Sequence, residues 1–299
     1  MVITGAGRGI GEQVARLAAA RGARVALIGL EPDRLRALAD DLGPTASWWE
    51  ADVRDSAALR LAIDGCADVM GGIDYVVANA GIASYGTVRQ ADEASFARVL
   101  DINLNGVFRT LKYATPHLER SRGHVMVVAS ALSFTPLGGL ASYAASKAGV
   151  EILALAYRQE VAHLGVTVGL VHPSWIDTDL VRSAEADIPS FQELRGRLPY
   201  PGNVTTSVDQ AAAAIVHGLV RSRNRVYVPR AVIVANWAKA ALNSPAAWPW
   251  MRRFAAQVVP TLEREVDALG RHDQLVPGAE IRSASTIPTT AIAIEPVAP

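Results

Sequence analysis

The feature that most constrains this chain lies almost at its first residue. Thr4-Gly5-Ala6-Gly7-Arg8-Gly9-Ile10-Gly11 follows a short apolar run and leads straight into a helical pattern. Strand, glycine turn and helix in immediate succession point the first free N–H groups of the helix at a phosphate, so the local fold and a dinucleotide ligand are implied together. Gly5 permits the tight turn, Gly9 removes a side chain where backbone must approach a pyrophosphate, and Gly11 lets the helix pack close to the strand. The spacing, Gly-x-x-x-Gly-x-Gly, is one residue wider than the common dinucleotide-binding fingerprint.

The rest of the chain repeats that alternation. β-type apolar runs at 1–4, 24–28, 47–50, 73–78, 124–129, 166–172 and 225–228 alternate with helical patterns at 10–21, 32–42, 56–70, 93–119, 142–164 and 207–222. Such a pattern predicts an α/β fold: a Rossmann-like, doubly wound, seven-stranded parallel sheet with helices on both faces. Two regions break the rhythm. Residues 178–203, rich in charge, Pro and Gly, read as a long loop at the ligand-binding edge and a substrate lid. Beyond residue 230 comes an apolar extension bearing Trp237, Trp248, Trp250 and Phe254, with helices expected near 232–242 and 250–269. It packs on the domain or on a second subunit, walls a lipophilic substrate, or touches a membrane surface. The expected division is 1–230 as the dinucleotide-binding and catalytic domain, 231–277 as the helical extension, and 278–299 as a disordered tail.

Charge narrows the partners. Lys plus Arg (29) equals Asp plus Glu (29), so no long-range field gathers nucleic acid, and a small-molecule partner is expected. Cys66 is the single cysteine, which excludes an internal disulfide and a cysteine-based metal cluster, and reads as a small buried hydrophobe. No metal is expected. With no leader-like segment before the glycine motif and no apolar run of the ~18 residues a membrane span needs, a cytoplasmic protein is expected. Only three residues precede Thr4, a short run for a central strand, so the natural start is expected further upstream.

A second signal stands far downstream, in Tyr143-Ala144-Ala145-Ser146-Lys147. Helix positions four apart share a face, so the Lys147 ammonium can lie near the Tyr143 hydroxyl. A phenol with pKa ~10 needs roughly 4 kcal/mol in favour of phenolate to titrate near neutrality. A cation at ~4 Å supplies about 1 kcal/mol in bulk water and about 4 at an effective dielectric of ~20, so the pair works only in a shielded cleft. Ser130 follows the run Val125 to Val128 and falls at the carboxyl end of a strand, where open α/β sheets bind ligands. It caps the strand end or donates to a substrate oxygen. Asn103, inside a long helical pattern, is a poor helix former and is either solvated or functional.

Glycine spacing, Asn103, Ser130, Tyr143 and Lys147, in that order, resemble the short-chain dehydrogenase/reductase superfamily over about residues 1–230. The resemblance implies a carbonyl–alcohol oxidoreductase with Tyr143 as general acid/base. Lys147 would lower its pKa and bind the nicotinamide ribose, Ser130 would hold the carbonyl oxygen, and Asn103 would disturb its helix and anchor a relay water. Asn105 competes for that last role; the Leu-x-Gly-Val-Phe after Asn103 favours Asn103. The resemblance also assigns cofactor contacts to Gly5, Gly7, Arg8, Gly9, Ile10, Gly11, Asp52, Val53, Asn79, Ala80, Gly81, Ile176 and Thr178. Asp52 would accept from the adenine amino group, and Asn79-Ala80-Gly81 matches the family's NNAG element with Ala78 replacing the first Asn. Asn79 would stabilise the sheet centre. His172-Pro173-Ser174-Trp175-Ile176-Asp177-Thr178 resembles a PGxxxT segment contacting the carboxamide, with Ser174 for Gly implying a stiffer loop. In the family the segment around the last strand supports tetramers, and residues 225–230 depart from that ending, which argues against a tetramer; the resemblance as a whole implies a homodimer or homotetramer.

Cofactor choice falls at the end of the second strand. An acid at 29 would exclude a 2′-phosphate and an arginine at 30 would welcome it, but the chain has Gly29 and Leu30. Arg8 is available to a 2′-phosphate and Glu31 to a ribose, which tilts the expectation slightly to NADP(H) without excluding NAD(H). Leu132, Phe134, Leu137, Leu140, Trp175, Leu180 and the 183–201 segment are expected to line an apolar pocket for a lipophilic ketone or secondary alcohol. The rival reading is a non-catalytic dinucleotide-binding sensor or scaffold acting through the extension.

Overall fold

The computed structural model describes residues 1–271. The expected tail at 278–299, and the last residues of the expected extension, lie outside the described residues.

Seven parallel strands form one sheet in the order β3-β2-β1-β4-β5-β6-β9. They are β1 (Val2–Thr4), β2 (Val25–Gly29), β3 (Ala46–Glu50), β4 (Tyr75–Ala78), β5 (His124–Val128), β6 (Thr167–Pro173) and β9 (Arg225–Val228). Between β6 and β9 a separate two-stranded ribbon joins β7 (Trp175–Ile176) to β8 (Thr205–Thr206), which the sequence pattern did not reveal. Central strands are buried on both faces, so β1 and β5 read as continuous apolar runs rather than alternating ones. The strand order reverses between β1 and β4. Ligands gather at the carboxyl ends of strands flanking such a switch.

Helices α1 (Gly9–Ala19), α2 (Pro32–Leu42) and α9 (Val208–Val220) cover one face, where Val14, Leu35 and Ile215 pack on Ile3, Leu27 and Met126. Helices α3 (Ser56–Met70), α5 (Gly106–Ser121) and α6 (Ala141–Glu160) cover the other, where Ile63, Leu111 and Val150 pack on Val76, Val125 and Leu170. Cys66 is free and buried in that second core. Asp55 caps α3 by accepting from the backbone N–H groups of Ala57 and Ala58 at 2.9 and 3.0 Å.

The pattern at 93–119 predicts one helix. The structure divides it into α4 (Glu93–Leu100), a π-helical turn at Asp101–Asn105, and α5. Asn103 sits inside that turn, and the Gly106 N–H reaches back to the Asp101 carbonyl. The pattern at 142–164 likewise ends early, with α6 giving way to a 3₁₀ turn at Ala162–Leu164.

Residues 178–203 are not the expected loop. They form α7 (Asp179–Asp187) and α8 (Ser190–Arg197). α10 (Val232–Leu242) and α11 (Trp248–Leu269) follow β9. Ala184, Ile188, Phe191 and Leu194 from the first pair pack with Val258, Leu262 and Val266 of α11 and with Tyr85 and Leu140 in a third apolar cluster. That cluster roofs the carboxyl edge of the sheet. Among the described residues no helix is long and apolar enough to cross a membrane.

Candidate active site

The glycine turn is shaped by contacts that only glycine allows. Gly9 adopts φ of +56°, and a Cβ at Gly11 would lie 2.3 Å from the Gly5 carbonyl oxygen and 2.8 Å from Asn79 Nδ2. Asn79 fastens this turn to the sheet centre. Its Nδ2 donates to the carbonyls of Thr4 and Gly5, each at 3.1 Å, while its backbone N–H donates to Thr4 Oγ1 at 3.1 Å. One strand end is thereby tied to its neighbour where the backbone must leave room for a ligand.

A single cavity of about 1680 Å³ runs from this turn to the roof. Of the sequence-predicted residues its walls include Gly5, Gly7, Arg8, Gly9, Ile10, Asp52, Val53, Asn79, Ala80, Gly81, Ser130, Tyr143, Lys147, Ile176 and Thr178. Gly11 and Asn103 stand behind the wall. At the glycine turn itself Arg8 Nε donates to Glu31 Oε2 at 2.8 Å, and a second guanidinium nitrogen bonds the other carboxylate oxygen. The two groups assigned to opposite cofactors thus hold each other. Asp52 is similarly engaged, accepting from Arg54 Nε at 2.8 Å and Nη2 at 2.6 Å.

Tyr143, Ser130 and Lys147 meet at the carboxyl end of β5. Ser130 Oγ accepts from the Leu132 N–H at 3.2 Å, so it is both turn cap and neighbour of the Tyr143 phenol. Burial pushes the Tyr143 phenol above its usual value, and Ser130 draws it part of the way back. Lys147 Nζ donates to the Val128 carbonyl at 2.8 Å and lies 5.7 Å from the Tyr143 ring centroid. Burial lowers the ammonium to about 8. Ser130 is thus the neighbour that opposes burial at the phenol.

Asn103 is fully buried. Its Oδ1 accepts from the Ile82 N–H at 2.8 Å, and its Nδ2 donates to the Ile82 carbonyl at 2.9 Å and to Ser146 Oγ at 3.0 Å. A Cβ on Gly81 would lie 3.2 Å from Asn103 Oδ1 and 3.5 Å from Lys147 Nζ, so this glycine leaves open the space between those two side chains. Asn105, by contrast, is exposed, and its side chain donates to Asp101 Oδ1 at 3.1 Å.

Sequence reasoning missed what lies beneath Ser130. Buried Glu151 accepts from Ser133 Oγ at 2.7 Å and Arg225 Nη1 at 3.1 Å, and its carboxylate meets His172 Nε2 at 3.3 Å. Burial would raise this carboxyl; bonds to His172, Ser133 and Arg225 outweigh that and hold it at about 2. His172 lies between the rings of Phe134 and Tyr227, with centroids at 5.4 and 5.2 Å. Phe134 therefore packs on His172 and is absent from the cavity wall where it was expected. The signal was available: Glu151 is a carboxylate in an apolar helical run, one turn after Lys147 on the same face.

Leu132, Leu137, Leu140, Trp175 and Leu180 line the apolar end of the cavity as expected. Val234, Ala238, Trp250, Met251, Phe254 and Val258 of the extension complete it. The extension is thus both packed on α7 and α8 and part of the wall. Ser174 donates its N–H to the Val228 carbonyl at 2.8 Å, and β7 pairs with β8, so the segment before Thr178 is fixed at both ends.

The family profile described as short chain dehydrogenase matches residues 1–189. The chain is 35% identical over 214 residues to cis-4-hydroxycyclohexanecarboxylate dehydrogenase of Sinomonas cyclohexanicum, covering 69% of this chain and 86% of that protein. It is 32% identical over 187 residues to the 3-oxoacyl-[acyl-carrier-protein] reductase FabG of Escherichia coli (strain K12), covering 62% and 77%. In structure it is similar to the 3-ketoacyl-(acyl-carrier-protein) reductase from Brucella melitensis complexed with NADH, with a TM-score of 0.66 and 25% identity over 76% of this chain and 95% of that one. Glycine turn, sheet order and these likenesses agree: the chain belongs to the short-chain dehydrogenase/reductase family and is an NAD(P)-dependent oxidoreductase interconverting carbonyls and alcohols.

Proposed function

We propose that the substrate is a lipophilic ketone or secondary alcohol, taken up in the cytoplasm, with Tyr143 as the general acid/base. The observation that carries this is that Ser130, Tyr143 and the apolar wall line one continuous cavity. The glycine-lined groove fits a dinucleotide: it has a helix N-terminus, no Cβ at the closest approach and polar groups at its far end. Bound there, the nicotinamide supplies or accepts the hydride.

Ser130 holds the carbonyl oxygen, and Tyr143 gives that oxygen its proton as the carbon is reduced. A phenol kept protonated by burial is the right starting state for reduction. Lys147 exchanges its bond to Val128 for the ribose and brings positive charge towards the developing phenolate. Asn103 holds the Ile82 backbone and one side of the space beside Gly81, through which a relay water returns the proton. The relatives' names describe a ring alcohol and a 3-oxoacyl chain as substrates of similar proteins. Exposed Phe108 on α5 and Ile152 on α6 support a homodimer or homotetramer through that face.

Tyr143→Phe removes the donor and keeps the ring. We expect turnover on a panel of cyclic and aliphatic ketones to fall about a thousandfold, with cofactor affinity retained. Unchanged turnover would sink the assignment. NADP(H) is the slightly preferred cofactor, because residue 29 offers no carboxylate against a 2′-phosphate. Glu31 competes for Arg8, so the preference stays within about tenfold, or ~1.4 kcal/mol. Titration by fluorescence decides it, and NAD(H) binding tenfold tighter would defeat this choice.

A further inference from the structure

We infer that the protein docks on an anionic phospholipid surface through the exposed faces of α10 and α11, at the mouth of its cavity. Three tryptophans stand in solvent there: Trp237, Trp248 and Trp250 are 74%, 59% and 55% exposed, beside Val234 at 57%. Soluble surfaces expose large apolar residues singly; a cluster of them marks a surface that meets something else. Val234 and Trp250 also line the cavity, so the patch is continuous with its rim. Trp237 is one turn beyond Val234 on α10. The indole, amphipathic and flat, is the side chain that settles at a membrane–water boundary.

Charge selects the occupant. From residue 210 to residue 262 the chain carries seven cations, Arg221, Arg223, Arg225, Arg230, Lys239, Arg252 and Arg253, and no Asp or Glu, although the whole chain is neutral. Arg225 is spent on Glu151, but Arg230, Lys239, Arg252 and Arg253 are exposed and form no ion pair among the described residues. Arg252 follows Trp248 by four positions and Arg253 follows Trp250 by three, so each cation lies one turn from an exposed indole on α11. Tryptophan at the boundary with arginine beside it is what an anionic lipid interface recognises. A neutral protein face would not need an unpaired row of cations.

The docking reads binding rather than turnover, so it stands or falls apart from the carbonyl chemistry. The full chain is sedimented with vesicles of phosphatidylcholine, and with vesicles of phosphatidylcholine mixed equally with phosphatidylglycerol. We expect pelleting with the mixed vesicles only, weakened by salt. Arg252→Glu combined with Arg253→Glu should weaken it at least tenfold, and Trp237→Ala should weaken it severalfold, with circular dichroism and thermal unfolding confirming that both variants are folded. Absence of binding to the anionic vesicles, or binding indifferent to the charge reversal, overturns the inference. So does a Trp237→Ala variant whose only change is dissociation of an oligomer, because a second copy would then own the face.

Discussion

The glycine turn and the roof enclose the same cavity but are built on different terms. Around Gly5, Gly11 and Asn79 backbone atoms approach so closely that the residue type is constrained: a Cβ at Gly11 would strike a carbonyl, and the one Asn79 amide nitrogen serves the Thr4 and Gly5 carbonyls together. Around Leu262, Phe191 and Tyr85 the requirement is apolar volume, which many residues meet. The first region is specified by position and the second by sum. That is why one discloses its ligand and the other only the class of its substrate.

The seam between them should be the most costly place to cut. Glu151, on the helix that carries Tyr143 and Lys147, is bonded to Arg225 on β9 and His172 on β6, and through Ser133 to the turn that presents Ser130. Removing one member of a buried charge pair costs about 3 to 5 kcal/mol. Arg225 is partly exposed, so Glu151→Gln should cost about 3 kcal/mol, read by denaturant unfolding at neutral pH. The sign with pH follows from the direction of the shift. The carboxyl is held at about 2 in the folded protein against an ordinary 4.5, so its stabilisation is complete above 4.5 and disappears as pH falls towards 2. The gap between wild type and variant should narrow over that window. A gap that stays constant would show that the charge of Glu151 contributes nothing.

The same small substitution made in each region should give opposite signs. Gly11→Ala places a methyl 2.3 Å from the Gly5 carbonyl, where neither partner is the end of a flexible side chain. Overpacking of this kind costs about 2 to 3 kcal/mol, and dinucleotide affinity should fall with it. Gly196, on α8, has nothing within 4 Å of its absent Cβ. There the substitution should stabilise by about 0.5 kcal/mol, because alanine loses less backbone freedom in a helix. Equal effects at the two sites, measured by thermal and denaturant unfolding, would erase the distinction.

That distinction also sets what the sequence could disclose. The sheet and its main helices were legible because each apolar run is long enough to show its period. Asn103 was legible too, since an amide inside a helical pattern announces a break, and the structure answers with a π turn at that position. α7 and α8 were not. They are short, joined through Pro189, and bury only Ala184, Ser190, Phe191 and Leu194 fully; their amphipathicity is visible only once α11 covers Ala184, Phe191 and Leu194. The Arg8–Glu31 pair escaped for another reason. The two residues stand 23 positions apart, and their meeting depends on where β2 ends against the glycine turn.

Leu262 tests the weaker region at its centre. It is fully buried, packs with the residues of α7 and α8, and reaches Gly139, where a Cβ would lie 2.5 Å from its Cδ1. Leu262→Ala opens a void in a roof that can partly collapse, so the loss should sit at the low end for buried leucine, about 2 kcal/mol. The glycine turn lies on another cluster, so cofactor affinity should hold while KM for a lipophilic ketone rises severalfold. If cofactor affinity fell in step with KM, roof and groove would be one cooperative unit, and the substrate end would owe its shape to the same constraints that fix the glycine turn.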